Sequence, residues 1–254
     1  MSRFFVEPHC VGDTLITIEN KEDLHHMMKV LRLQPGDEIE VSDAAEWEYR
    51  AVLTELNSEF AEVKILDKQK FAREPEIEIT LYQGVPKQGK MELIIQKSVE
   101  LGVHAIVPVF MARSVVKDNG RFEKKRQRWQ KVADEAVKQC RRGIIPKVGD
   151  ALVTKEAADV FADYDLVLFP YENEAGTTMK DVLRPLTEGT DEKAERKELR
   201  RIAVIIGPEG GFSEDEAGLI TESGGQSVSL GKTILRTETA GLAAIAMIMY
   251  ELEL

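Results

Sequence analysis

Ile202-Ala203-Val204-Ile205-Ile206-Gly207-Pro208-Glu209-Gly210-Gly211-Phe212-Ser213-Glu214-Asp215-Glu216 sets an apolar run, a glycine-rich turn and a helix start end to end. The first five residues are β-branched or small and apolar on both faces, as in a strand covered by helices on both sides. A buried parallel strand is expected there. Ser213 to Glu216 has the Ser-x-x-Glu form of a capping box, with acids in the turn where the helix dipole favours them, so a helix starts near Glu214. Between the two, Gly207, Gly210 and Gly211 leave main-chain N–H groups unshielded while Pro208 restricts the turn, so a polar ligand can approach the backbone. Read alone, the loop also fits a tight strand-to-helix turn.

The arrangement recurs downstream. Gln226 to Leu230 reads as a short strand, Gly231-Lys232-Thr233-Ile234-Leu235-Arg236 as a loop, and the chain from about Thr237 as an Ala- and Met-rich helix. Two such loops leaving one sheet edge are read as a single ligand site. Neither matches a nucleotide signature. Gly-x-Gly-x-x-Gly is absent, and Gly231-Lys232-Thr233 lacks the upstream glycine of a P-loop because position 226 is Gln.

Further upstream, Leu166 to Pro170 reads as another buried strand, and from Glu78 strands and helices alternate as βαβ units do. Lys87 to Leu101 is expected as a helix ending at Gly102, Val103 to Val109 as a strand, and Arg121 to Cys140 as the next helix. Residues 1–72 differ. Thr14–Ile18, Asp37–Val41, Tyr49–Leu53 and Ala61–Ile65 are short alternating segments that suggest a small barrel, interrupted by a helix over Leu24 to Leu31. The boundary is placed near Phe71 to Pro75, giving domains over 1–72 and 73–254. Thr187 to Arg200, almost entirely polar, reads as a solvated loop or an exposed helix end.

The 254 residues are 43% hydrophobic, enough for real cores. No long apolar stretch follows Met1, and Ala240 to Tyr250 is too short to span a bilayer, so a cytoplasmic, non-membrane protein is expected. Cys10 and Cys140 are far apart and the four histidines show no ligand spacing, so neither a disulfide nor a metal is expected.

A net charge of −11 argues against indiscriminate nucleic-acid binding, which depends on Lys and Arg neutralising phosphates. Any such site must be local. Residues 121–142 hold nine Lys/Arg against three acids, a balance of +6, and Lys87, Lys90, Lys97 and Arg113 add charge from neighbouring elements. A solvated helix face explains such a run equally well.

The two loops, together with His25-His26-Met27-Met28-Lys29-Val30-Leu31-Arg32, Lys90 to Lys97, Glu100-Leu101-Gly102-Val103 and Arg113-Ser114, resemble the bacterial 16S ribosomal RNA uridine N3-methyltransferase family, a branch of the SPOUT methyltransferases. The likeness covers both domains in order. It implies an α/β fold in which a PUA-like β-barrel precedes a SPOUT domain ending in a deep trefoil knot, an exception to the rule against knots. It also implies a homodimer, 16S rRNA within the small ribosomal subunit as partner, and S-adenosyl-L-methionine as cofactor. The cofactor residues would be Leu168, Phe169 and Pro170, then Ile206, Gly207, Pro208, Gly210 and Gly211, then Leu230, Gly231, Ile234 and Leu235.

Methylation at N3 of a uridine requires loss of the N3 proton. Arg236 is the first choice for a cation facing the uracil carbonyls. Glu209 or Glu238 would accept the proton if burial raised its pKa; equally, Glu209 would only hold the loop and Glu238 only cap the last helix. RNA contacts are expected from Arg3, Lys29 and Arg32 in the acidic N-terminal domain, and from Lys87, Lys90, Lys97, Arg113, Arg141 and Arg142. Two departures stand out. Gln88-Gly89 replaces the Gly-Asp of many relatives, and Lys138-Gln139-Cys140-Arg141-Arg142 replaces a Glu-Gln-Ser-x-Arg stretch.

Overall fold

The structure, a computed structural model, describes residues 2–71, 74–87, 89–117, 120, 122–187 and 200–253. It divides into two compact units, one comprising Met1–Glu74 with Val137–Ile145 and the other Pro75–Ala136 with Pro146–Leu254.

The first unit is built on β1 (Arg3–Phe5), β2 (Leu15–Ile18), α1 (Lys21–His25), β3 (Glu38–Ser42), β4 (Trp47–Leu56) and β5 (Ala61–Lys70). The sheet order is β1-β3-β4-β5-β2. All pairings are antiparallel except β1 with β3. The helix starts earlier than the expected Leu24, because Asn20 Oδ1 accepts from the N–H groups of Glu22 and Asp23. It runs on into a wider π-type turn over His26–Leu31, closed by Arg32 in the left-handed region. Phe4, Ile16, Leu24, Met27, Ile39, Val41, Leu53 and Val63 form the core.

Residues 137–145 belong here through specific bonds. Ser42 Oγ donates to the Gly143 carbonyl at 2.6 Å, and Arg3 donates to the carbonyls of Arg141 and Arg142. Arg3 also pairs with Glu40 and Glu48, and Arg142 with Glu74.

The second unit contains β6 (Glu78–Gly84), α2 (Lys90–Glu100), β7 (Ala105–Phe110), α3 (Phe122–Cys140, its last residues counted with the first unit), β8 (Lys147–Val148), β9 (Leu152–Val153), α4 (Thr154–Asp159), β10 (Leu166–Pro170), α5 (Met179–Thr187), β11 (Arg201–Ile206), α6 (Glu214–Glu222), β12 (Gln226–Val228) and α7 (Thr237–Leu252). Its sheet runs β12-β10-β11-β6-β7-β8, with β9 also on β7, and every pairing is parallel. Both faces are covered. Tyr82, Val109, Phe169, Ala203 and Ile205 pack against Ala157, Ala158 and Phe161 on one side with Ala217 and Ile220 of α6, while α7 lies on β6 and β11 beside α2 and α5.

Helix α2 begins at Lys90, later than Lys87, because Gly89 at its start has φ 70°. The polar stretch after Thr187 falls outside the described residues over 188–199, as does Arg121. No helix among the described residues is long and apolar enough to cross a membrane.

Candidate functional site

Because β12, β10 and β11 are adjacent and parallel, their carboxyl ends share one edge of the sheet, where ligands of open α/β sheets bind. Three loops gather there, over 171–178, 207–213 and 229–236. The first is held by Glu174, whose carboxylate accepts from Ser227 and from the N–H groups of Gly176 and Thr177. The Ser227 bond and these N–H groups hold its pKa below the ordinary value.

The glycine loop after β11 is seated on the end of β6. A Cβ at Gly84 would stand 2.6 Å from the nitrogen of Pro208, so only glycine permits this approach. Gly211 has φ 67°, and a Cβ there would lie 2.7 Å from Glu172 Oε1. Phe212 is buried edge-on against Phe169, with Tyr171 beside it. Beyond the loop, the expected capping box forms: Ser213 Oγ accepts from the Glu216 N–H, and Glu216 accepts in return from the Ser213 N–H. Glu216 reaches further, accepting from Thr154 Oγ1 at 2.6 Å and from the Ala112 N–H. Arg113, next in chain, donates to the Gly210 carbonyl at 3.0 Å.

Helix α7 meets the loop from the other side. Thr237 Oγ1 donates to the Gly207 carbonyl at 2.7 Å and accepts from Gln83 Nε2 at 2.9 Å. Lys90 Nζ lies 3.2 Å from Glu209 Oε1 and 2.9 Å from Glu238 Oε2. Glu209 also accepts from the Lys87 N–H.

Burial acts to raise the Glu209 pKa, but its own N–H, that of Lys87 and the Lys90 ammonium outweigh it and hold it below the ordinary value. At Glu238 the Lys90 hydrogen bond leads in the same direction. The same bond to Glu238 raises the pKa of Lys90.

The loops enclose a cavity of about 520 Å³ lined by Pro170, Glu172, Ile206 to Phe212, Ile234 to Thr237, Ala240 and Lys90. A second of about 460 Å³ adjoins it, sharing Pro170, Glu172, Ile234, Leu235 and Ala240 and adding Leu230 and Gly231. The walls combine apolar side chains with glycine main chain, a surface suited to a flat, largely uncharged group.

A family model for an RNA methyltransferase domain matches residues 73–249, and one for an RNA methyltransferase PUA domain matches 18–66. The ribosomal RNA small subunit methyltransferase E of Bacillus subtilis is 34% identical, covering 100% of this chain and 98% of that protein. The chain belongs to the ribosomal RNA small subunit methyltransferase E family.

Its relative of that name from Synechocystis is 30% identical over 99% of this chain and 78% of its own length. A crystal structure of the Neisseria gonorrhoeae family member, bound to S-adenosyl methionine, superposes with a TM-score of 0.82. It is 32% identical and covers 98% of this chain and 97% of that one.

In this family member, most of the expected cofactor residues meet at the two cavities. Pro170, Ile206, Gly207, Pro208, Gly210, Gly211, Ile234 and Leu235 line the first, and Leu230 and Gly231 the second. Leu168 and Phe169 do not, because they lie within β10 with their side chains in the core. Arg236 is exposed on the cavity wall at the start of α7. Glu209 lines the cavity, but the condition for its acting as a base, a pKa raised by burial, is not met, because its own N–H, that of Lys87 and the Lys90 ammonium outweigh burial.

The RNA candidates divide. Lys29, Arg32, Lys87, Arg113 and Arg141 are exposed. Arg3 and Arg142 run against expectation, with side chains only 7% and 6% exposed and guanidinium groups taken up by Glu40, Glu48 and Glu74. Lys97 pairs with Glu100 on its own helix, and Lys90 is held by two carboxylates. Within the basic segment, Arg126 pairs with Glu123 and Asp150, and Arg128 with Glu92, so much of its charge is neutralised locally.

Sequence reasoning passed over Glu172, Thr237, Ala240 and Gly84. Glu172, two residues past Pro170, carried a findable signal as the first acid after a strand whose neighbours end in ligand loops. Thr237 was marked only as the start of the last helix, and Gly84 carried no signal.

Proposed function

We propose that this chain methylates N3 of a uridine in the decoding region of 16S rRNA, using S-adenosyl-L-methionine and acting on the small ribosomal subunit. The observation that carries this reading is the convergence of the two glycine loops on one cavity with Arg236 on its wall. The cavity fits the cofactor. Ile206, Ile234 and Leu235 offer apolar surface for a base, the main chain at Gly207, Gly210, Gly211, Leu230 and Gly231 offers polar groups, and Glu172 is the one acid shared by both cavities. When bound, S-adenosyl-L-methionine supplies an electrophilic methyl on a sulfonium.

The remaining chemistry falls to the chain. Arg236 faces the uracil carbonyls and stabilises the charge that develops as N3 loses its proton, commonly the largest catalytic contribution. Glu209, held ionised by its own N–H, that of Lys87 and the Lys90 ammonium, and Glu238, held so first by Lys90, are weak proton acceptors, so Glu209 is read as holding the loop.

Residues 1–72 are read as an RNA-binding PUA-like barrel, supported by the register shifts in β4 and β5 that curl a sheet. Residues 73–254 are read as a SPOUT methyltransferase domain with a deep trefoil knot, supported by the parallel order that sets β11 between β10 and β6. A cytoplasmic homodimer completes the reading: Ile234, 86% exposed on the cavity rim, is the side chain that a partner subunit would cover.

The test is transfer of labelled methyl to unmodified small subunits by wild type and Arg236→Ala, with the product mapped by mass spectrometry. N3-methyluridine at one site, lost in the variant, is expected. A ribose-methylated product, or tight subunit binding without transfer, would overturn the reading.

A further inference from the structure

Lys90 is the first residue of α2, Glu209 sits in the glycine loop after β11, and Glu238 lies in the first turn of α7. One ammonium contacts both carboxylates, at 3.2 and 2.9 Å, on the wall of the larger cavity. From these contacts we infer that Lys90 is a positioning residue whose ammonium clamps the glycine loop to α7 and so sets the shape of the cofactor cavity. The inference deepens the proposed function and rests on it for the identity of the ligand.

Groups reaching one ammonium stand within ~6 Å of each other, where like charges disfavour one another's ionisation. The clamp therefore has two functions. It joins two segments distant in sequence, and it screens a repulsion that would otherwise push the loop away from α7. The surrounding charges fit this arrangement. From the turn before α2, Lys87 offers Glu209 its main-chain N–H. At the start of α7, Arg236 lies close enough to help lower the Glu238 pKa, and Glu172 adds negative charge elsewhere on the same wall. Without Lys90, Glu172 and Glu209 would line the cavity, with Glu238 at the start of α7, and Arg236 would be the remaining cation among the lining residues.

The sign of the pH effect follows. In wild type both carboxylates ionise below the ordinary glutamate range and Lys90 stays charged, so cofactor affinity is flat across neutral pH. In Lys90→Met one carboxylate has a raised pKa. Binding is then weakest at alkaline pH and recovers as pH falls and that carboxylate is protonated.

The experiment is calorimetric titration with S-adenosyl-L-methionine from pH 5 to pH 9, paired with carbon-13 NMR titration of the glutamate carboxyls in ligand-free protein. We expect Lys90→Met to lose tenfold or more in affinity at pH 8 and to regain part of it near pH 5. Lys90→Arg should stay flat and within threefold of wild type. Lys90→Met/Glu238→Gln should bind better at pH 8 than Lys90→Met alone, which a merely misfolded lysine variant would not do. A flat, wild-type-like Lys90→Met, or a double variant no better than the single, would overturn the clamp. Wild type that fails to bind the cofactor would defeat the proposed function instead, and the carboxyl titration would then decide the clamp: no upward shift in Lys90→Met overturns it.

Discussion

Thr237 Oγ1 donates to the carbonyl of Gly207 at 2.7 Å while accepting from Gln83, so the first residue of the last helix fixes the first residue of the glycine loop. Thr237→Val keeps the shape but leaves the buried Gly207 carbonyl without this donor and one Gln83 amide hydrogen without its acceptor, while Gln83 still donates to the Gly84 carbonyl, which costs about 1–3 kcal/mol. A lower urea midpoint and weaker S-adenosyl-L-methionine binding are expected, with Thr237→Ser close to wild type in both. Unchanged binding in the valine variant would show that the carbonyl is not held through this bond.

Gly211→Ala places a Cβ against Glu172 at a backbone angle that alanine resists. Cofactor affinity should fall tenfold or more, and Gly211→Ala/Glu172→Ala should recover part of it by removing the collision while keeping the backbone strain. Equal affinities for the single and double variants would argue that backbone strain alone is responsible.

Adjacent arginines should separate fold from RNA contact. Arg142→Met leaves Glu74 buried without its cation and should cost about 3–5 kcal/mol. Arg141→Met, exposed at φ 60°, should leave the urea midpoint nearly unchanged and weaken small-subunit binding in a salt-dependent manner. Reversal of these two outcomes in urea denaturation and filter binding would contradict the assignment.

Glu216 gives a pH signature. Burial acts to raise its pKa, but the Thr154 hydroxyl and the N–H groups of Ala112 and Ser213 outweigh it, so the folded value lies below the ordinary one. The resulting stability is present above the ordinary glutamate value and is lost as pH falls through the folded one. Urea midpoints from pH 7 down to about pH 3 should therefore show wild type ahead of Glu216→Gln at neutral pH, with the gap closing in acid. A gap that stays constant would mean that the carboxylate's charge is not what holds the loop.

The sheet of the second unit was readable because a buried parallel strand has a strong local signal. Leu166–Pro170 was delimited to the residue, and Ser213 announced α6 through its capping box. Local signal failed where the cause is distant. β1 is too short to show alternation and exists through its pairing with β3. The start of α1 turned on a single Asn20 cap.

The site divides in the same way. Loops marked by glycine could be found, but charge alone could not separate Arg141 from its neighbour, because the burial of Arg142 depends on Glu74 and that of Arg3 on Glu40 and Glu48. Glu209 fitted a base and a loop anchor equally well by sequence, and the groups that decide between them, the Lys87 N–H and the Lys90 ammonium, are far away in the chain.

The bonds from Arg3, Ser42 and Glu74 to residues 141–144 have a practical consequence for dissection. A fragment cut at residue 74 would be a sheet missing the strip of chain on which its buried arginine and serine close, with Glu74 deprived of its cation. The N-terminal unit is discontinuous in the gene although compact in space, so severing it by position should yield an insoluble or unfolded piece. Supplying residues 137–145 through a short linker should restore a unit that folds alone.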